Sequence, residues 1–120
     1  MIVPLILHRN HWVVAIVDLV NHTYEYYNSM GGEQLDIDGQ RIFHNVMRWL
    51  VDVGAVVGDD VQNYSRRQSC IPRQHNGYDC GMFMLYYVCC RALEIEPHFT
   101  QADMVRLRQR TVLDLLNAQL

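Results

Sequence analysis

Gln74-His75-Asn76-Gly77-Tyr78-Asp79-Cys80-Gly81 runs straight into a helix-like stretch from Met82 to Glu94, which sets Cys80 at the first turn of a helix. Backbone N–H groups at such a turn have no intrahelical acceptor, and the positive end of the helix dipole lies there, so a cysteine at that point is favoured as thiolate. A thiolate nucleophile in acyl transfer needs three further parts: an imidazole, a group that fixes the imidazole tautomer, and donors aimed at the developing oxyanion. His11, at the start of a β-branched run, is the candidate base and ion-pair partner. Gln74, six residues before Cys80 on an extended loop, can offer its side-chain amide to the oxyanion beside the Cys80 backbone N–H.

The third part follows from strand parity. His11 to Asp18 reads as a buried strand and Thr23 to Asn28 as a second, joined by a turn over Leu19 to His22 into an antiparallel hairpin. Residues 11, 13, 15 and 17 share one face, as do 24, 26 and 28, so Asn28 can come beside His11 and accept its Nδ1 hydrogen. Asp18 is the rival acceptor. Seven residues from His11, it has the opposite parity and points to the other face unless a bulge intervenes.

The remaining elements must hold these groups in place. Met1 to Leu7 is apolar but lacks the basic flank and length of a signal segment, so it is read as a strand. Met30-Gly31-Gly32 is a turn that fixes the end of the Asn28 strand. A helix is predicted over about Asp38 to Val53, with Ile42, Val46, Trp49, Leu50 and Val53 as its inner stripe. Gly54 to Asp60 reads as a loop, and a short strand falls within Val61 to Cys70 before Pro72. Cys80 to about Leu93 is apolar nearly all round and is expected to be the central buried helix, with Asp79 capping it through its carboxylate. Thr100 and Asp103 stand at capping-box spacing for a last helix, Gln101 to Ala118, whose inner face is Met104, Leu107, Val112, Leu115 and Leu116.

Composition narrows the classes of function. With 120 residues, 50% hydrophobic, and a net charge of −3, the chain suits one α+β domain over 1–120 with a single core. No run approaches the roughly 18 apolar residues of a membrane span. The ten basic residues, all Arg, are scattered and leave no nucleic-acid footprint. Cys70, Cys89 and Cys90 read as packing residues, and the adjacent pair is poor geometry for a disulfide, which points to a reducing compartment, the nucleus or cytoplasm. His8, His22, His44, His75 and His98 lack metal-ligand spacing. No cofactor or metal is implied, and a monomer is expected.

Several spaced motifs then coincide. His11-Trp12, Tyr26-Tyr27-Asn28-Ser29-Met30-Gly31-Gly32, the run Pro72 to Phe83, and Phe99-Thr100-Gln101 with Arg106 to Arg110 resemble the catalytic half of the SUMO/sentrin-specific cysteine proteases. By position the family's catalytic residues fall on His11, Asn28, Gln74 and Cys80, and the resemblance places Trp12, Gly77 and Asp79 along the substrate. It implies a papain-like core, a central helix with an N-terminal cysteine on a small mixed sheet. It also implies hydrolysis after the C-terminal Gly-Gly of SUMO or a related ubiquitin-like protein. There are two departures. Asn28 stands where the family has Asp, which gives a Cys-His-Asn set of the papain type. The family's upstream portion, with a second Trp facing the one after the catalytic His, has no counterpart in this stretch. A polypeptide-processing protease of the adenovirus-protease type and a pseudoprotease that binds a ubiquitin-like protein are the alternative readings.

Overall fold

The structure is a computed structural model that describes residues 1–31, 34–67 and 71–118, without the side chains of residues 34–36. Gly32 and Cys70 lie outside the described residues. Four strands form one mixed sheet in the order β1 (Ile2–Leu7), β2 (His11–Asp18), β3 (Thr23–Tyr27) and β4 (Ser65–Arg66). The first three are antiparallel neighbours, and β4 runs parallel to β3. Met1 and Val17 exchange both backbone hydrogen bonds, at 2.6 and 2.8 Å. Alternation along β1 then turns Val3, Leu5 and Leu7 toward β2 and Pro4 toward the open edge. There its missing N–H costs nothing and blunts the edge against further pairing.

The central strands are buried on both faces. Val14 and Ile16 of β2 and Tyr27 of β3 pack on Phe83 and Tyr87 of α2 (Cys80–Ala92) and on Met104 of α3 (Met104–Asn117). The rings of Tyr27 and Tyr87 stack 3.9 Å apart at 4°. The other face carries Val17 and Tyr24 against Phe43, Val46, Met47 and Leu50 of α1 (Gln34–Asp52). This is the α+β arrangement expected from the sequence, a helix with an N-terminal cysteine laid on a small mixed sheet.

The C-terminal half of α2 is fastened by a buried carboxylate. Glu25 on β3 accepts from the Tyr87 hydroxyl at 2.8 Å and from Arg91 at 3.0 and 3.2 Å. A buried charge is tolerable only when paired and hydrogen-bonded, and both oxygens of Glu25 are engaged this way.

Several boundaries and faces differ from expectation. The α1 stripe is Phe43, Val46, Met47 and Leu50, while Trp49 and Val53 are more than half exposed. The seam is set by which flank of the helix the sheet touches, and a helix with apolar residues on two flanks does not declare that in its pattern. α2 buries only Cys80, Phe83 and Tyr87 fully, with Leu85 and Cys89 exposed, so it is covered on one side. α3 buries Met104, but Val112, Leu115 and Leu116 are exposed. Gly58–Asn63, expected to be loop and strand, is a 3-10 helix, and the strand shrinks to two residues. The Thr100–Asp103 box is present as expected. The Asp103 carboxylate accepts from the Thr100 N–H at 2.9 Å, but the first turn it starts, Gln101–Asp103, is 3-10.

Gly39 of α1 lies against the buried Tyr26 ring, and a Cβ there would come within 2.7 Å of Cδ1. Alanine in mid-helix normally gains about 1 kcal/mol over glycine. Forcing a buried ring aside costs about 1–3 kcal/mol. Gly39→Ala is expected to lower the urea midpoint; a raised midpoint would show that Tyr26 yields freely.

Candidate active site

Cys80 is the first residue of α2 and is 6% exposed. Its Sγ lies 4.0 Å from the backbone oxygen of Asn10. A Cβ built on Gly81 would meet Trp12 Cδ1 at 3.4 Å, so the indole lies over the start of the helix. Both chain neighbours of His11 therefore touch the Cys80-Gly81 corner. Trp12 keeps 39% of its surface open, and no atom lies within 4 Å of where a Gly77 Cβ would stand.

The hairpin delivers the imidazole partner. Tyr26 opposes Ala15 and Tyr27 opposes Val14, so the end of β3 runs toward the start of β2, where His11 stands. Asn28 Oδ1 lies 2.7 Å from His11 Nε2 and accepts the Met30 backbone N–H at 2.9 Å. A backbone N–H can only donate, so the atom facing both groups is the carboxamide oxygen, and His11 Nε2 must carry the hydrogen. The expectation of an Nδ1 contact is corrected here, because the ring presents Nε2 to Asn28. The neutral tautomer then leaves the lone pair on Nδ1. Asn28 Nδ2 reaches the Tyr26 hydroxyl at 3.5 Å, and burial pushes the Tyr26 phenol up, which keeps it protonated.

Asp18 takes another role at the far end of β2. Its carboxylate accepts from the Val20 and Asn21 N–H groups at 2.9 and 3.0 Å and from Asn21 Nδ2 at 2.7 Å. The Asn21 bonds hold its acid below the usual carboxylate range. It closes the hairpin turn and is not an imidazole partner.

Gln74 is buried and tied at both ends of its amide. Oε1 accepts the Ser29 hydroxyl at 2.5 Å, and Nε2 donates to Asn76 O at 2.5 Å. One amide hydrogen remains without a partner among the described residues, which is what an oxyanion donor requires.

The sequence places Asp79 as the cap of α2, and the structure corrects this. Its carboxylate makes no cap bond and is 3% exposed. It accepts from Asn76 Nδ2 at 2.6 Å, Gln101 Nε2 at 2.6 Å and the Arg108 guanidinium. Burial pushes this acid up, but those three donors outweigh it and hold the carboxyl below its ordinary value. A carboxylate offered a cation and two amides turns to them, which leaves the first N–H groups of α2 uncapped by Asp79 for an incoming oxygen.

Ser29, Asn76, Gln101 and Arg108 as supports of the loop escaped the sequence reading; only the Phe99-Thr100-Gln101 and Arg106–Arg110 motifs pointed to that region. Two recesses lie elsewhere: about 410 Å³ beside Asp18, Glu25 and Arg91, and about 450 Å³ beside Ile2, Val46 and Trp49. Among the described residues no helix is long and apolar enough to cross a membrane.

Residues 1–118 match the family described as the Ulp1 protease family, C-terminal catalytic domain. Ubiquitin-like-specific protease 1A of Arabidopsis thaliana is 30% identical over 115 residues, covering 92% of this chain and 22% of its own length. Sentrin-specific protease 5 of Homo sapiens is 32% identical over 113 residues, 92% and 14%. The chain thus spans about a fifth or less of these relatives. Among solved structures, the yeast C-terminal Ulp1 protease domain in complex with Smt3, the yeast ortholog of SUMO, superposes with a TM-score of 0.71 at 24% identity, over 89% of this chain and 47% of that one. The Ulp1-like SUMO protease catalytic domain of Chaetomium thermophilum gives 0.63 at 26%, over 89% and 42%.

Arg108→Ala is expected to cost about 2 kcal/mol, because the buried Asp79 carboxylate loses a cationic hydrogen-bond donor. A depressed acid contributes stability above its unfolded value and loses it as pH falls through the folded one. The parent should therefore lose more stability than the variant as pH falls through this range, so the gap between them is largest above the unfolded value of Asp79 and narrows on acidification. Denaturation midpoints followed across the acid range check this, and superposable profiles would mean that Arg108 does not hold Asp79.

Proposed function

This chain belongs to the Ulp1 protease family, and on that premise we propose that it is a cysteine peptidase cleaving after the C-terminal Gly-Gly of SUMO or a related ubiquitin-like protein. Maturation of the precursor and release of an isopeptide-linked conjugate use the same chemistry. The observation that carries the reading is the 2.7 Å hydrogen bond between His11 Nε2 and Asn28 Oδ1 on the strand whose entrance touches Cys80. It supplies a base of defined tautomer one residue along from Asn10, whose carbonyl lies 4.0 Å from the Cys80 sulfur at the helix N-terminus.

The proposed sequence of steps follows from these groups. The Cys80 thiolate adds to the glycine carbonyl carbon, forming a C–S bond and an oxyanion. The Cys80 backbone N–H and the free Gln74 amide hydrogen meet the oxyanion. Collapse breaks the C–N bond, and protonated His11 delivers its Nδ1 proton to the leaving amine. Water, deprotonated by His11, then adds to the thioester carbonyl, and the thiolate leaves with the acid product formed. Asn28 keeps the Nε2 hydrogen in place in both halves and holds the ring as it becomes cationic.

The indole of Trp12 lies over Gly81, next to Cys80, and on this reading it forms one wall along the glycine tail. Tyr78, 76% exposed, lies with Gly77 in the loop that leads into Cys80. The partners on this reading are SUMO-type proteins and their conjugates in the nucleus or cytoplasm.

Treatment with a Gly-Gly-terminated vinyl sulfone or propargyl probe of SUMO should give a covalent adduct that Cys80→Ala abolishes. Binding without capture would mean a reader instead of an enzyme. Asn28→Asp, which adds a charge beside the imidazolium while the Tyr26 hydroxyl can turn to donate, is expected to raise kcat on the order of tenfold. An active protein indifferent to this change would remove Asn28 from the mechanism.

A further inference from the structure

We propose that Ser29 is a positioning residue that locks the Gln74 carboxamide in the orientation needed to donate to the oxyanion; this rests on the peptidase reading above. Ser29 is 1% exposed and follows Asn28 directly. It meets Gln74 twice. Its hydroxyl donates to Oε1 at 2.5 Å, and its carbonyl accepts the Gln74 backbone N–H at 2.9 Å.

The side-chain amide has two orientations related by a half-turn, and the surroundings select one. Asn76 O can only accept, so it takes Nε2, and the opposite end must then be an acceptor facing Ser29. In the reverse orientation Oε1 would face Asn76 O, with two acceptors opposed. The Ser29 hydroxyl therefore has to donate, and it satisfies a buried carbonyl oxygen that would otherwise be orphaned. With both ends held, the second Nε2 hydrogen has a fixed direction. Without Ser29 only one bond would restrain the amide, and rotation about the last side-chain torsion would carry that hydrogen away.

One dipeptide, Asn28-Ser29, thus orients both the base and the oxyanion donor. Asn28 fixes His11 through Oδ1, and Ser29 fixes Gln74 through its hydroxyl. The two halves of the site are set by a single strand end, which is braced by the Gly31 N–H to Asn28 O bond and by Arg73 packed over Gly31.

The test is Ser29→Ala, read in two ways. In ¹⁵N spectra the Gln74 side-chain amide, assigned by Gln74→Ala, should be ordered in the parent and mobile in the variant; an equally ordered amide would overturn the proposal. On a SUMO Gly-Gly substrate the variant should lose about tenfold in kcat with KM unchanged. It should lose nothing further when made in a Gln74→Ala background. A loss of equal size in both backgrounds would overturn the proposal, since a merely structural role acts whether or not Gln74 is there. If the unaltered chain is not captured by the probe, the peptidase reading fails, while the amide spectra still decide whether Ser29 holds Gln74.

Discussion

One carboxamide oxygen governs the chemistry available to this molecule. Asn28 Oδ1 is shared between a backbone N–H that can only donate and an imidazole nitrogen that could do either. The first partner decides the identity of the atom, and that decides the proton on the second. A residue at the end of a strand, tied into its own turn, becomes a fixed reference for His11. A carboxylate would fill the same place and add charge. The amide gives orientation without it.

The position of α2 relative to that reference is fixed as well. Two buried carboxylates moor the helix, one toward each end. Glu25 binds Tyr87 and Arg91 toward the C-terminal end, and Asp79 binds Asn76, Gln101 and Arg108 at the N-terminal end. Each draws on different elements, so β3, α2, α3 and the loop before Cys80 are cross-tied. Buried ion pairs add little net stability against apolar packing, but removing one partner is costly, and that asymmetry suits parts whose relative positions must persist. The stacked rings of Tyr27 and Tyr87 complete the mooring between the two.

The hairpin was legible because alternation along each strand is a local rule, and a short turn sets the register that puts residues 11 and 28 on one face. The same holds for Cys80 at a helix start and for Asp103 at its box. The α1 stripe was less legible. Apolar residues at 42, 43, 46, 47, 49, 50 and 53 cover more than one flank, and only the sheet selects Phe43, Val46, Met47 and Leu50. Asp79 was misread for a related reason. An Asp before a helix is ordinarily a cap, but an arginine twenty-nine positions later offers a stronger bond, and such a distant competitor leaves no local trace.

The amino-acid sequence by itself determined the candidate inventory and its local setting: a thiol at a helix N-terminus, an imidazole at a strand entrance, an amide on the matching face, and a loop glutamine. Tertiary structure alone decided which imidazole nitrogen meets Asn28, that Asp79 abandons its helix for Arg108, and that Ser29 grips Gln74. Local periodicity fixes which way a side chain leaves the backbone. The choice among donors and acceptors that compete for it is made by groups far apart in the chain, brought together only when the core closes.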